Sequence, residues 1–333
     1  MKILQGTANI VGGPTLVARE MRKLGHDAKS YSLTPPTFSK LQTDLYLKKD
    51  HSKVEMVKNF VKYAKNYDVF QFWFGKSLLG YSLKDISILK KMNKKVFFYF
   101  CGCDIRDEKV IIYNHEFSAC HACVPKSCNI NREKAKRVAE TYGDKIFVST
   151  PDLLEFVEDS ILLPQPIDFQ KIDIIKNLSR KKNKVFTVAH APTNRLMKGT
   201  KYIVEAIENL KLKGYSIELK LIEGLTHEQA LNEYFSADLA IDQILAGSYG
   251  ATTVEMMALG VPTIVYIRED LIKHYPEPPP VISANPKDIE AKLKDIITNK
   301  IDLLEISKKG KIYANNYHSP HKIAQKLISY YQL

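Results

Sequence analysis

Short apolar runs of strand length alternate with amphipathic helical stretches along nearly the whole chain, and no other feature restricts the fold as much. A strand buried on both faces reads as a continuous apolar run, and a helix between two such strands buries one stripe. The alternation therefore specifies parallel sheets covered by helices. In the first half, residues 2–5, 69–73, 95–100 and 145–148 read as strands. Helices are expected over 15–24, ended by Gly25, and over 82–92, and Ser149-Thr150-Pro151-Asp152 opens a short one. The second half restarts the pattern with strands over 185–189, 217–222, 239–241 and 263–266 and helices over 200–213, 227–236 and 252–259. Helices near 286–298, 302–315 and 321–331 close the chain. Between the halves, the prolines of Leu163-Pro164-Gln165-Pro166-Ile167-Asp168 and the Lys-rich stretch 176–184 interrupt the alternation and mark a linker.

With 333 residues, and roughly 150 residues per domain, two domains each large enough for a core are expected. Apolar residues at 45% and charged residues at 26% exclude a disordered chain. No apolar run approaches the ~18–20 residues of a membrane span, and the longest, 96–100, is strand-sized. The opening Met1-Lys2-Ile3-Leu4-Gln5-Gly6-Thr7 turns polar too early for a secretion signal, so the expected location is the cytoplasm. The surplus of 49 Lys+Arg over 37 Asp+Glu, a net charge of +12, suits nucleic acid, anionic lipid or phosphorylated small molecules. Helix-turn-helix, zinc-finger and aromatic RNA-binding spacings are all missing, which argues against nucleic acid. Much of the lysine lies in helical stretches such as 84–95 and 292–311, where a solvated face accounts for it. A basic face in peripheral contact with an anionic membrane is the other expectation.

The residues that carry chemistry concentrate in the second half. Ala237-Asp238-Leu239-Ala240-Ile241-Asp242-Gln243 ends a strand, and Gly247-Ser248-Tyr249-Gly250 forms a turn. Thr252 and Thr253 then lead into a helix that carries Glu255 and closes on Ala258-Leu259-Gly260-Val261-Pro262. A diphosphate needs backbone N–H groups and a positive helix end, and this turn offers both. Gly247 and Gly250 permit close approach and unusual backbone angles. Glu255, about one turn inside the helix, is placed to accept two hydrogen bonds from ribose hydroxyls. Upstream, His190-Ala191-Pro192-Thr193-Asn194-Arg195 and Lys198-Gly199-Thr200 follow a strand end, where ligands bind in open α/β sheets. Arg195 and Lys198 are candidates to neutralise phosphate and stabilise a leaving nucleotide.

From His190 to Pro262 this order and spacing resembles the donor-binding signature of glycosyltransferase family 4, the retaining GT-B transferases. The resemblance implies an α/β GT-B architecture, two Rossmann-like domains facing each other across a cleft. Residues 1–165 would form the acceptor side and 166–315 the nucleotide-sugar domain, with a C-terminal helix in 316–333 packing back on the first domain. It also implies donor contacts at His190, Arg195, Lys198, Gly247, Ser248, Tyr249, Gly250, Thr252, Thr253 and Glu255. Gly12-Gly13-Pro14 ahead of a helix resembles the glycine loop that these enzymes place over sugar and phosphate, which adds Gly12 and Gly13. Base recognition is expected near Ile222-Glu223-Gly224.

Two positions depart from the family pattern. The family usually carries a Glu eight positions before the ribose-binding Glu, and here that position is Gly247. Asp242, at a strand end, is the nearest replacement for a carboxylate facing the transferred sugar. Asp242-Gln243 together with Gly247-Ser248-Tyr249-Gly250 looks like the mark of a subgroup. Family members often read His-Gly-Ser-Asp-Ile-Arg after the fourth strand, where this chain reads Cys101-Gly102-Cys103-Asp104-Ile105-Arg106. A thiol does not replace an imidazole as a proton shuttle, but retaining transfer on the donor face needs no enzyme nucleophile. Asp104 and Arg106 survive as candidates to order the acceptor hydroxyl or contact phosphate.

All five cysteines fall between Cys101 and Cys128. Cys120-x-x-Cys123 followed by Cys128 has the spacing of metal ligands, and Cys101 and Cys103 sit at a strand end that could face them. His115 and His121 are spare ligands. A structural zinc, or an iron–sulfur cluster, clipping an insertion over about 101–130 is expected, with reduced cysteines packed as small apolar groups or a labile disulfide as alternatives. No Asp-x-Asp signature is present, so no catalytic divalent cation is expected.

The resemblance thus implies a retaining, hexosyltransferase-like enzyme that moves a sugar from a nucleotide-diphosphate sugar to a hydroxyl of a glycan or lipid-linked acceptor, in surface glycan or glycoconjugate synthesis. The changes at positions 101 and 247 keep two alternatives open. One is a non-catalytic GT-B protein that binds sugar nucleotide or accompanies a transferase, and the other is a sugar-nucleotide 2-epimerase.

Overall fold

The structure is a computed structural model that describes residues 1–35, 43–123, 131–178 and 183–332. In chain order, β1 (Lys2–Thr7), α1 (Gly13–Lys23), β2 (Asp27–Ser32), β3 (Leu45–Tyr46), α2 (Lys53–Asn66), β4 (Val69–Trp73), α3 (Lys84–Lys91) and β5 (Lys95–Phe100) come first. Next are α4 (Glu108–Asn114), α5 (Arg132–Tyr142), β6 (Lys145–Val148), β7 (Ile161–Leu162) and α6 (Phe169–Lys176). The run continues with β8 (Phe186–His190), α7 (Arg195–Lys198), α8 (Thr200–Leu212), β9 (Ile217–Leu221), α9 (His227–Ser236), β10 (Leu239–Ile241), α10 (Ala251–Leu259) and β11 (Thr263–Ile264). It ends with α11 (Ile289–Ile297), α12 (Leu303–Tyr317) and α13 (Pro320–Gln332).

The described residues fall into two compact units. Unit 1 takes in those of 1–107, 131–168 and 318–332. Its seven-stranded sheet, ordered β3-β2-β1-β4-β5-β6-β7, is parallel throughout. β4 is buried along its whole length and β5 from Val96 onward, as strands covered on both faces must be. Helix α13 packs on α1, and Ile323, Leu327 and Tyr331 join the same core as Val17, Met21 and Trp73. A buried polar chain adds to this contact. Trp73 Nε1 donates to Gln5 Oε1 at 3.0 Å, Gln5 Nε2 donates to the Tyr331 hydroxyl at 2.8 Å, and that hydroxyl donates to Gln71 Oε1 at 3.0 Å. A buried polar group left unpaired costs about 1–3 kcal/mol, so these bonds fix where the last helix sits.

Unit 2 holds the described residues of 108–123 and 169–317 around a parallel four-stranded sheet ordered β11-β10-β8-β9. The chain runs outward from β8 to β9 and then crosses to β10 on the other side of β8. The connections out of β8 and β10 therefore turn toward opposite edges of the sheet, and the reversal between them is where open α/β sheets form a ligand crevice. Helix α10, which follows β10, is buried from Thr253 to Leu259 and packs against α12, α6 and α9. Its apolar residues run all round because it is enclosed on all sides.

The structure departs from the sequence reading in three places. β2, β3, α2, α4, α5, β7 and α7 are not among the expected elements, and β2 hides its polar side chains by local bonds rather than by being apolar. Ser30 Oγ donates to Asp44 at 2.8 Å, for example. The change of unit falls between Asp168 and Phe169, and α6 occupies part of the segment read as linker. The Cys-rich stretch does not stay with the first domain, since residues 108–123 belong to unit 2.

Candidate functional site

The crevice in unit 2 is built on one buried carboxylate. Asp242 follows β10 directly, its N–H donating to Ile264 O at 3.0 Å, and only 3% of the residue is exposed. Lys198, from the end of α7, brings its Nζ to 2.5 Å from Asp242 Oδ1 and 3.2 Å from Gln243 Oε1. Thr253 Oγ1, in the first turn of α10, donates to Asp242 Oδ2 at 2.7 Å. Burial alone would raise the Asp242 carboxyl, but the Lys198 charge and the bonds from Lys198 and Thr253 more than reverse this and hold it below the usual carboxylate range. Three separate elements are thus tied together at the point where the strand order reverses.

His190 lies beneath this network, fully buried. Its Nδ1 donates to Ile241 O at 2.8 Å, since a carbonyl only accepts, and its Nε2 sits 2.8 Å from Thr200 Oγ1. Burial lowers its pKa, which keeps the ring neutral. With both nitrogens used, His190 braces β8 against β10 and α8 rather than facing the crevice. Gly199, between α7 and α8, has φ +77°, and a Cβ there would stand 2.6 Å from Ile244. Glycine at this position is what lets α7 lie close enough for Lys198 to reach Asp242. Arg195 is 58% exposed on its side chain and forks onto Glu223, with Nε 2.7 Å from Oε1 and Nη2 2.5 Å from Oε2.

The turn before α10 has a defined shape. Gln243 Nε2 donates to Ser248 O at 2.6 Å and spans the loop. Tyr249 points into the core, its hydroxyl 3.0 Å from that of Tyr313 and its ring stacked on Tyr275 at 5.0 Å. Gly250 is the N-cap and provides no capping side chain, and Thr252 at the helix start is half-buried. Glu255 is buried beside the crevice, with Oε1 2.9 Å from Nε2 of His227 at the start of α9.

Gly247 leaves no room for a side chain. Its φ is +73°, and a Cβ would meet Arg268 Cδ at 2.8 Å and Cγ at 2.9 Å. The stem of Arg268 therefore lies where a side chain at 247 would begin. The Arg268 guanidinium donates to Asp270 through Nε at 3.1 Å and Nη2 at 2.5 Å, and to His115 Nε2 at 2.7 Å. A residue from the segment that unit 2 takes from the first half of the chain thus helps hold the side chain under this turn.

In unit 1, Gly12 is the N-cap of α1 and Gly13 its first residue. Gly12 has φ +75°, and a Cβ on Gly13 would meet the Trp73 ring at 2.7 Å. Asp104, fully buried, accepts from Cys101 N at 3.0 Å and Gly102 N at 2.7 Å, which closes the turn after β5. Burial pushes its pKa up to about 6 against these bonds. Arg106 donates to Asp152 Oδ2 from Nε at 3.1 Å and Nη2 at 2.6 Å, and its charge lowers the Asp104 carboxyl against the burial.

The described cysteines are divided between the two units. Cys101 and Cys103 belong to unit 1 and Cys120 and Cys123 to unit 2, and Cys128 lies outside the described residues. Among the described residues no group of three or more His, Cys, Asp or Glu side chains is placed to hold a metal ion. The zinc or iron–sulfur clip expected from the spacing has no support there, because the chain between Cys103 and Cys120 passes from one unit to the other. Burial, and then the Asp104 charge, push the Cys101 thiol well above its ordinary range, which is the environment of a packed thiol.

The structure also brings in residues that the sequence reading passed over. His227 meets Glu255, Tyr234 accepts from Ala191 N at 2.8 Å to pin the loop after β8, and Arg268 fills the space above Gly247. Only Arg268 left a trace, as a charged residue close behind a buried strand.

No protein-family model and no curated protein matches the sequence. Solved structures do match over nearly the full chain. Anabaena HepE in complex with UDP superposes with a TM-score of 0.63 at 13% identity, covering 99% of each chain. Sucrose-phosphate synthase from Thermosynechococcus elongatus gives 0.61 at 13% identity, covering 100% of this chain and 98% of that one. A putative UDP-N-acetylglucosamine 2-epimerase from Listeria monocytogenes gives 0.58 at 13% identity, covering 98% and 94%. The chain has the GT-B fold, with one parallel α/β sheet in each unit.

Proposed function

We propose that the chain is a retaining glycosyltransferase that binds a nucleotide-diphosphate sugar in unit 2 and passes the sugar to an acceptor hydroxyl in glycan or glycoconjugate synthesis. The observation that carries the reading is the Lys198–Asp242–Thr253 network at the reversal of strand order, beside the amino end of α10 and the carboxylate of Glu255. Asp242 aims Lys198 rather than touching the sugar, since both of its oxygens are engaged. Lys198, the turn 247–253 and Arg195, released from Glu223, neutralise the diphosphate and stabilise it as it leaves. Glu255 exchanges His227 for the ribose hydroxyls. In unit 1, Asp104 and the Arg106–Asp152 pair shape the loop that orders the acceptor hydroxyl, and Gly13, by letting the start of α1 pack on Trp73, sets the glycine turn that meets sugar and phosphate. HepE, whose complex holds UDP, shares the fold and makes UDP the first nucleotide to test.

The test is a thermal-shift screen with UDP, GDP, ADP and CDP, followed by transfer assays with the sugar forms of the nucleotide that binds. A nucleotide at a hundred times its Kd should stabilise the protein by about 2.7 kcal/mol. Arg195→Ala and Glu255→Ala should lower both the shift and turnover. A protein that none of the four nucleotides stabilises has no such site, and the reading is wrong.

The Arg268 stem over Gly247, where the family keeps a carboxylate, favours one second reading: a binding protein without transfer activity. Tight nucleotide binding with no turnover across donors and acceptors would select it. Conversion of the nucleotide sugar without any acceptor would instead select an epimerase.

A further inference from the structure

Residues of the segment 116–122 line part of the wall of a cavity in unit 2 that borders the proposed donor site at Arg195. Its volume is about 740 Å³, within the range of roughly 300–1,000 Å³ typical of small-molecule sites. Phe117 stands on that wall, with Leu196, Tyr202 and Val204 from α7 and α8 and Leu245 from the loop after β10. Leu196 and Tyr202 remain 57% and 39% exposed although both are large and apolar. Exposed apolar side chains gathered in a concavity are the kind that a ligand covers, unlike single ones scattered over a surface.

The wall is held in place by several contacts. Glu116 pairs with Lys287 at 2.6 Å, the Lys287 ammonium sits 5.5 Å from the Phe117 ring centre, and Phe117 meets Tyr266 edge-on at 6.2 Å. The charges at the rim are matched by neighbours: Arg195 by Glu223, Lys201 by Glu205 and Glu116 by Lys287. The cavity therefore offers apolar surface with its rim charges already paired. An anionic occupant would have to compete for one of these pairs, and a neutral hydrocarbon need not. Arg195 also belongs to the proposed phosphate site, so whatever fills the cavity lies next to the donor.

We propose that this cavity binds the neutral, apolar aglycone of the acceptor, an alkyl chain joined to the sugar that receives the transferred residue. The proposal rests on the glycosyltransferase reading, and it commits the acceptor to an amphipathic molecule whose hydrocarbon end is held by unit 2.

The test uses the full chain and a series of alkyl glucosides from methyl to hexyl, below their micelle concentrations, with affinity measured by calorimetry. Burial of each added methylene should tighten binding by about fourfold until the cavity is filled. Val204→Trp, which fills the cavity, and Phe117→Ala, which removes its wall, should flatten the series while leaving nucleoside diphosphate affinity as in the wild type. An affinity independent of chain length, or a series unchanged in both variants, overturns the proposal. If nucleotides bind and the series is flat, only the cavity assignment fails. If the series holds and no nucleotide binds, the glycosyltransferase reading fails and the assignment of an acceptor falls with it.

Discussion

Replacing Lys198 by Met removes the ammonium from Asp242 while keeping most of the side-chain stem. The pair is shielded, with side-chain exposures of 16% and 3%, and the variant leaves Asp242 with the Thr253 hydroxyl at 2.7 Å as its remaining side-chain donor. Removing one partner of a buried pair costs about 3–5 kcal/mol, because the other charge stays behind without compensation. The pH dependence follows from the direction of the shift. Asp242 now titrates below its unfolded value, so its contribution to stability is present above about pH 4 and is lost as pH falls through the folded pKa. In Lys198→Met the burial that favours the neutral acid is no longer outweighed by the cation, and the carboxyl shifts up. The variant then loses stability as pH rises from about 4 toward neutrality, so its deficit relative to the wild type is largest near pH 7 and shrinks in acid. Urea unfolding at pH 7.5 and pH 5, followed by far-UV circular dichroism, measures this deficit. The single tryptophan, Trp73, lies in unit 1, so its fluorescence should follow the wild-type curve while the dichroism transition moves. Lys198→Met combined with Asp242→Asn should recover most of the loss, because the stranded charge is gone. A loss below about 1 kcal/mol at pH 7.5, or a double variant no more stable than the single one, would refute the assignment of this pair as the buried anchor of the site.

Three further outcomes are expected. Gly247→Glu, which puts a carboxylate at the start of the turn, should destabilise unit 2 by about 1–3 kcal/mol and weaken nucleotide binding more than tenfold, since φ is +73° and the Arg268 stem stands 2.8 Å from the new Cβ. A gain in turnover would contradict this. Asp104→Asn should remove a pH-dependent cost in unit 1. The native carboxyl, raised to about 6, favours the fold below about pH 4 and loses that contribution as pH rises through 6, so Trp73-monitored unfolding should show the variant gaining about 3 kcal/mol on the wild type between pH 4 and 7. Glu255→Gln keeps the shape but not the charge, and should lower nucleoside diphosphate affinity about tenfold, or about 1.4 kcal/mol. Wild type should bind UDP better than its 2′,3′-dideoxy form and the variant should not, whereas equal preference in both would remove Glu255 from the ribose.

Much of the architecture could be read from the chain because it is recorded locally. β4, β5 and β6 are apolar runs with parallel partners on both sides, and their predicted and observed bounds coincide. Helix α10 announces itself by the turn 247–250 ahead of it and Gly260 behind it. The pairings among the candidate site residues were not legible in the same way. Lys198 and Asp242 were both singled out, but nothing in their spacing of 44 residues says that one neutralises the other. That contact exists because β8 and β10 are neighbours in the sheet and their outgoing loops meet.

The sequence by itself determined an α/β chain with parallel sheets, and it marked the strand-to-helix turn ahead of α10, because periodicity and turn chemistry act over a few residues. Tertiary structure alone decided that residues 108–123 join unit 2, that Arg268 occupies the space above Gly247, that Asp242 is a buried anchor for Lys198, and that Tyr331 satisfies Gln5 and Gln71 from the far end of the chain. Each of these depends on which strands lie side by side and which charges lose their water. Strand order and burial are properties of the packed molecule, and no local pattern carries them.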